Sequence, residues 1–458
     1  MDTSGDHLAR RLKQLRQQRR FLAWRRRLAF WLGALLVGLV ALAFAWLADR
    51  AYALFHQLGS QHPWLPWVLT PGGFALLAWA TQGWLNKTRG SGIDKVIALQ
   101  YEPSSRLRNA ALALPVALAK MCMTVFALFC GASVGREGPT VHIGAALMYI
   151  FGRRLGLHTQ RACSDLIVAG GAAGIAAAFN APLAGVAFAI EELSPRFEKR
   201  LNGMVLTAVL IGGMVTLGLL GYYSYFGNLG AALPLLEDAW LAVILCGLAG
   251  GALGGLYCRL VLPASSGLLG LVCSARRRHP VLFAALCGLL LAALGACSGQ
   301  HVFGTGYEET RALLDGSPET GQSFIFWKFL ANVISFLTGI PGGLFSPSLS
   351  VGAGMAPWLS SWIPGIDLQT AGLLGMAAYL SGVTAAPLTA TLIIVEMSHS
   401  PDMMLPILGA SLLANAVSGQ ISPVPLYRAL ARQLLAEEPG NRPAAGAREG
   451  GTHAGPAL

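Results

Sequence analysis

The stretch Gly135-Arg136-Glu137-Gly138-Pro139 interrupts an apolar run, and its glycine–proline frame recurs 208 residues later. The first frame is Gly135, Pro139, Gly144, Ala145; the second is Gly343, Pro347, Gly352, Ala353, at the same spacing. A lysine stands seventeen residues ahead of a shared position in each: Lys120 before Glu137, Lys328 before Phe345. Two glycine-lined helix starts, at matching places in two halves of an apolar chain, predict an ion site at the middle of a membrane. Where the first copy carries the carboxylate of Glu137, the second carries the ring of Phe345. That asymmetry points to a gate.

The repeat continues beyond these frames. At an offset of 205, Gly170, Ala172, Ala173, Ala181, Pro182, Leu183 and Glu191 match Gly375, Ala377, Ala378, Ala386, Pro387, Leu388 and Glu396. Gly and Ala coincidences are cheap in such a chain, but the matched lysines, prolines and glutamates are not. The reading is two homologous halves, about 28–222 and 239–420. Inverted halves are the commoner frame for midplane sites built from broken helices.

Composition places the chain in a bilayer: 54% of its residues are hydrophobic and only 12% charged, far from a soluble domain. Leu28 to Ala48 is an uncharged run long enough for one spanning helix. Several of the later apolar stretches are short or broken by Gly and Pro, and such segments must be buried in protein or line a wet cavity. The expected architecture is an all-α integral membrane protein with a transmembrane domain over 28–436. A basic amphipathic segment is expected at 1–27 and a disordered tail at 437–458. No cleaved leader and no soluble regulatory domain are expected.

Nine Lys or Arg between Arg10 and Arg27 place the N-terminus on the cytoplasmic side. Arg276-Arg277-Arg278 marks a second cytoplasmic segment. These charges read as topology and anionic-lipid contact rather than nucleic-acid binding. The eight cysteines are scattered, without CxxC or Cys/His pairing, and read as buried hydrophobes. No metal or cofactor is expected, and His142 reads as a packed residue.

Three segments are suited to binding an anion at a helix start, where backbone N–H groups lack intrahelical partners. They are Gly90-Ser91-Gly92-Ile93-Asp94, Gly135 to Pro139, and Gly342-Gly343-Leu344-Phe345-Ser346-Pro347. Together with Pro425-Leu426-Tyr427, they resemble in order the signature stretches of the CLC family of chloride channels and proton/chloride antiporters: GSGIP, GREGP, GxFxP and a late tyrosine. The likeness spans almost the whole membrane domain. It implies a homodimer, of the bacterial type without appended regulatory domains, with one anion pathway per subunit.

By that resemblance, Ser91 and Tyr427 bind the central chloride with their hydroxyls. Backbone amides around Arg136, Glu137, Gly138, Leu344 and Phe345 serve the anion sites. Glu137 is the external gate, and Glu192, second of the pair Glu191-Glu192, is the internal proton-transfer residue. The repeat matches Glu191 to Glu396, which leaves Glu192 as the extra carboxylate. Lys120 and Lys328 read as sources of a positive field inside the protein. Asp94 departs from the family pattern, which has proline there; it can cap the helix start, or slow anion entry as an added carboxylate.

The function implied is chloride transport coupled to protons, in the inner membrane, with an uncoupled channel as the alternative. A remote alternative is a membrane-embedded serine hydrolase, since Gly131-Ala132-Ser133-Val134-Gly135 fits GxSxG. That pattern needs a preceding strand, and an apolar helix precedes it here. No P-loop is present for an ATP-driven pump.

Overall fold

The computed structural model describes residues 3–83, 85–102, 104–194, 203–221, 226, 237–262, 267–316 and 321–437. Among them the chain is helical, with no strand and one isolated bridge, between Gly135 and Gly343. The first half comprises α1 (Thr3–Gln61), α2 (Pro66–Ala80), α3 (Ile93–Tyr101), α4 (Ser105–Ala111), α5 (Leu114–Phe129), α6 (Glu137–Arg154), α7 (Gln160–Phe179), α8 (Pro182–Phe188) and α9 (Gly203–Leu220). The second comprises α10 (Glu237–Val261), α11 (Gly267–Arg278), α12 (Pro280–Cys297), α13 (Tyr307–Leu314), α14 (Phe324–Thr338), α15 (Phe345–Ala353), α16 (Ala356–Trp362), α17 (Leu368–Thr384), α18 (Pro387–Ser398) and α19 (Met404–Ile421). A last helix, α20 (Leu426–Glu437), packs on α3.

The halves pack alike. α7 lies against α1, α6 and α9, and α17 lies against α10, α15 and α19. Both central helices are almost wholly buried and rich in Gly and Ala, as close approach of membrane helices requires. Five described helices are long and apolar enough to cross a membrane, or six if the bent pair α4–α5 is one span. Shorter apolar helices such as α14 and α18 do not reach that length, and α8 and α18 begin at prolines, Pro182 and Pro387.

The reciprocal contacts between α8 and α18 fix the relation of the halves. Leu183 and Ala184, in the first turn of α8, donate their N–H groups to Glu396 at 3.0 and 2.8 Å. Leu388 and Thr389, in the first turn of α18, donate theirs to Glu191 at 2.9 and 2.7 Å, and the Thr389 hydroxyl adds a third bond at 2.7 Å. Each carboxylate stands at the far end of one helix and caps the start of the other, so the pair runs antiparallel. Equivalent helices in that arrangement belong to inverted repeats.

A carboxylate on unpaired first-turn amides is worth about 1–2 kcal/mol. Glu396→Ala is therefore expected to lower the melting temperature in detergent by several degrees. An unchanged melting curve would show that the crossed caps hold nothing together.

The basic segment and the first apolar run belong to one helix. No backbone break separates a segment 1–27 from the membrane domain: α1 runs unbroken from Thr3 to Gln61. At 1.5 Å per residue that is roughly 90 Å, about twice a bilayer with its headgroups. Nothing in the stretch from Arg10 to Arg27 breaks a helix, and the charge contrast at Arg27 and Leu28 changes the surroundings the helix suits without ending it. Arg26 pairs with Asp165 at 2.7 Å, and Arg25 donates to Leu155 O, fastening the basic part of α1 to the first turns of α7 and the end of α6. The tail expected at 437–458 lies outside the described residues, apart from Glu437, which ends α20.

Candidate anion and proton site

Three chain breaks meet at the centre. Gly135 N donates to Gly343 O at 2.7 Å and Gly343 N to Gly135 O at 2.6 Å, so the starts of α6 and α15 face each other across the repeat axis. Gly90 N donates to Gly339 O at 3.2 Å, which brings the loop before α3 to the same place. A side chain at Gly138 would put its Cβ 2.1 Å from Ser91 Oγ and one at Gly343 would put its Cβ 2.8 Å from Gly138 N, so both approaches require glycine. Both helices carry proline at the third position, Pro139 and Pro347, where an N–H would lack an intrahelical acceptor anyway.

Glu137 is the first residue of α6 and only 1% exposed. Its carboxylate does not stay on its own helix. Oε1 accepts from the Ser346 hydroxyl at 2.5 Å, and Oε2 lies 3.4 Å from the Ser346 N–H, in the first turn of α15. The carboxyl group thus sits at the amide end of the partner half's helix, where partial positive charge accumulates. Ser346 was not singled out in the sequence. It occupies the frame position of Gly138, one of three consecutive positions, 344 to 346, at which the second frame departs from the first.

Ser91 is 2% exposed and Tyr427 fully buried. Their hydroxyls lie within interaction range of each other, yet neither atom meets hydrogen-bond geometry with any protein group. Buried hydroxyls without protein partners are rare and call for a ligand or water. The Phe345 ring stacks on Tyr427 with centroids 6.3 Å apart and planes 17° from parallel, and Phe179 and Phe188 pack on its other sides at 6.0 Å. The phenyl that replaces a carboxylate in the second frame thereby holds the tyrosine in place.

The Arg136 guanidinium is ion-paired with Asp49 of α1 and donates to Ala45 O, also of α1, at 2.9 Å. Leu344 precedes α15 as its cap and is buried. The first-turn N–H groups of Gly138 and Phe345 have no acceptor within their own helices.

Glu192 lies in a π-turn, Ala189–Leu193, that continues α8. It is 4% exposed, and its Oε1 has no protein partner. It lies within electrostatic range of Arg428 and of Tyr427. Arg428 also donates to Glu191 O at 3.3 Å, so α20 carries both the tyrosine and the arginine to this turn. Glu191, by contrast, is spent on capping α18.

The two repeat-matched lysines are fully buried and hold loops. Lys120 Nζ donates to Thr88 O and Gly90 O at 2.9 and 3.0 Å; Lys328 Nζ donates to Val302 O, Phe303 O and Gly304 O at 2.9 to 3.2 Å. They expose a further repeat that sequence reading missed. Gly90-Ser91-Gly92 corresponds to Gly304-Thr305-Gly306, with left-handed glycines at both flanks, φ 68 and 100° against 61 and 78°. A three-residue match with one Ser–Thr exchange carries too little information to stand out in a glycine-rich chain.

Ser133 of the GxSxG pattern is buried in a loop, where its hydroxyl donates to Asn332 Oδ1 at 2.8 Å and its N–H to Ser335 at 3.1 Å. No strand precedes it; α5 does. His142 is buried against Gly92, and among the described residues no cluster of His, Cys, Asp and Glu is placed to hold a metal ion.

The sequence model of the voltage-gated chloride channel family matches residues 72–419. The chain belongs to the CLC family. It is 32% identical over 455 residues to the H(+)/Cl(-) exchange transporter ClcA of Cronobacter sakazakii, covering 90% of each protein. Against the protein of the same name from Klebsiella pneumoniae the identity is 30% over 438 residues, covering 88% and 87%. The CLC fold is also shared with solved structures. A slow cyanobacterial Cl-/H+ antiporter superposes with a TM-score of 0.76 at 24% identity, covering 90% of this chain and 99% of the other. A CLC-type fluoride/proton antiporter gives 0.74 at 20%, covering 88% and 97%. A eukaryotic CLC transporter gives 0.70 at 21%, covering 90% and 74%. As a CLC protein the chain is a multi-pass membrane protein, not a hydrolase.

Proposed function

We propose that this CLC protein exchanges chloride for protons across the bacterial inner membrane, as a homodimer with one pathway per subunit and no cofactor. The observation that carries the proposal is the Glu137 carboxylate lodged on the first turn of α15. It occupies the kind of place a halide would take: buried, and faced by an N–H and an O–H. An ionised Glu137 then excludes chloride from that position, and a protonated one releases it. The names of the ClcA relatives support exchange rather than simple conduction. The basic stretch of α1 favours a cytoplasmic N-terminus in contact with anionic lipid.

A halide entering a membrane loses its water, and fixed dipoles replace it without the over-tight grip of a full cation. The Ser91 and Tyr427 hydroxyls supply two such dipoles, and the amides of Glu137, Gly138, Leu344 and Phe345 supply others. Glu192, buried beside α20, passes protons between the cytoplasm and Glu137.

The direct test of exchange is proton uptake by liposomes holding the purified protein under an outward chloride gradient. Protons moving uphill at the expense of chloride are expected; chloride current without them would make the protein a channel. A second expectation concerns the central site. Tyr427→Ala and Ser91→Ala should each weaken chloride binding by about tenfold, the worth of one hydrogen bond to an ion. Calorimetric titration reads this, and unchanged affinity in both variants would remove these residues from the site.

A further inference from the structure

Asp94 stands next to the proposed central anion site and takes no part in the mechanism above. It is 7% exposed. Its Oδ1 accepts the N–H of Gly92 at 2.8 Å, the amide that precedes α3 and adjoins Ser91. Its charge reaches the Tyr427 hydroxyl and both nearby ammonium groups, Lys95 and Lys120.

Neither lysine neutralises Asp94 by direct pairing. Lys95 Nζ is held by Lys87 O and by Arg89 O at 2.8 Å, Lys120 Nζ by Thr88 O and Gly90 O. Among the described residues no cationic nitrogen lies within ion-pair distance of the Asp94 carboxylate. Two buried lysines and one buried carboxylate without an ion-pair partner among the described residues thus surround the segment 87–95. The same carboxylate also engages a backbone N–H that would otherwise add its dipole to the anion site.

We infer that Asp94 tunes the central site: its fixed negative charge sets chloride affinity below the value that Ser91, Tyr427 and the two lysines would give alone. This rests on the assignment of Ser91 and Tyr427 to chloride. A carboxylate in a poorly screened interior acts on a nearby anion by repulsion. Chloride therefore leaves the site more readily, which favours turnover over tight binding. The competing role is structural, with Asp94 acting only as the cap of α3.

Two substitutions separate these roles. Asparagine keeps an oxygen for the Gly92 N–H and removes the charge; alanine removes both. Calorimetric titration with chloride is expected to show Asp94→Asn binding several-fold to tenfold more tightly than the parent protein. Asp94→Ala should also bind more tightly, by a smaller factor because the loop loosens. Unchanged affinity in Asp94→Asn, with weaker binding in Asp94→Ala, would reduce Asp94 to a cap and overturn the inference. Ser91→Ala and Tyr427→Ala run beside them as controls. If those two weaken binding while Asp94→Asn does nothing, the site assignment stands and only the tuning role fails. If neither changes chloride affinity, the assignment fails and the tuning role with it.

Discussion

Vesicles carrying Glu137→Gln should move chloride without moving protons. Glutamine has nearly the shape of glutamate but cannot ionise, so it mimics the protonated carboxyl permanently. Its amide loses the charge that holds the side chain on the first turn of α15, where Ser346 now grips it. Proton transport should fall to background, and chloride flux should persist and lose most of its pH dependence. Alanine should behave alike, because it also vacates the position. If Glu137 served only as an acid at the start of α6, its loss would cost roughly 0.3–1 kcal/mol of local stability and leave coupling intact. The carboxylate, however, is bonded to the other half's helix rather than its own, which that role does not explain.

Glu192→Gln should give the second large effect, with the same flux signature and a different cause. Proton movement should stop because the cytoplasmic donor is gone, while Glu137 continues to open and close the anion path. Chloride flux in this variant should therefore remain dependent on external pH, unlike that of Glu137→Gln. Glu191→Gln should leave coupling intact and instead lower thermal stability, since Glu191 is occupied by three hydrogen bonds to the first turn of α18. Paired chloride and proton flux measurements on the two neighbours decide between them. Selective uncoupling by Glu191→Gln would reverse the assignment within the pair.

The central frame of this fold is written plainly in the chain. The Gly135/Gly343 match anticipates two residues that exchange hydrogen bonds across the repeat axis, and the Glu191/Glu396 match anticipates two carboxylates that cap each other's helices. Such matches survive in sequence because close backbone approach tolerates only glycine, and a buried carboxylate needs its specific partners. Other features leave weak traces. Ser346, which holds Glu137, is one serine among many in an apolar chain, and its partner lies 209 residues away.

The unbroken α1 hides because hydropathy reports where a helix meets lipid, not where it ends. The number of spans was illegible for a related reason. Helices as short as α8 and α15 are not long enough to cross a bilayer individually, and only their neighbours in three dimensions show what they complete. The lysines show a contact that no local pattern reveals: the Lys120 and Lys328 side chains each clasp a glycine loop through its carbonyls.

The claim that the rest depends on is that the Glu137 carboxylate and a transported anion compete for one place, the first turn of α15 beside Ser346. Anomalous diffraction from crystals soaked in bromide, a heavier stand-in for chloride, locates the anion without reference to transport. In the parent protein, with Glu137 on Ser346, no bromide peak is expected there. In Glu137→Gln a peak should appear within hydrogen-bond distance of the Ser346 N–H. Bromide bound at that position alongside an undisplaced Glu137 carboxylate, or no bromide there in the variant, would contradict the account.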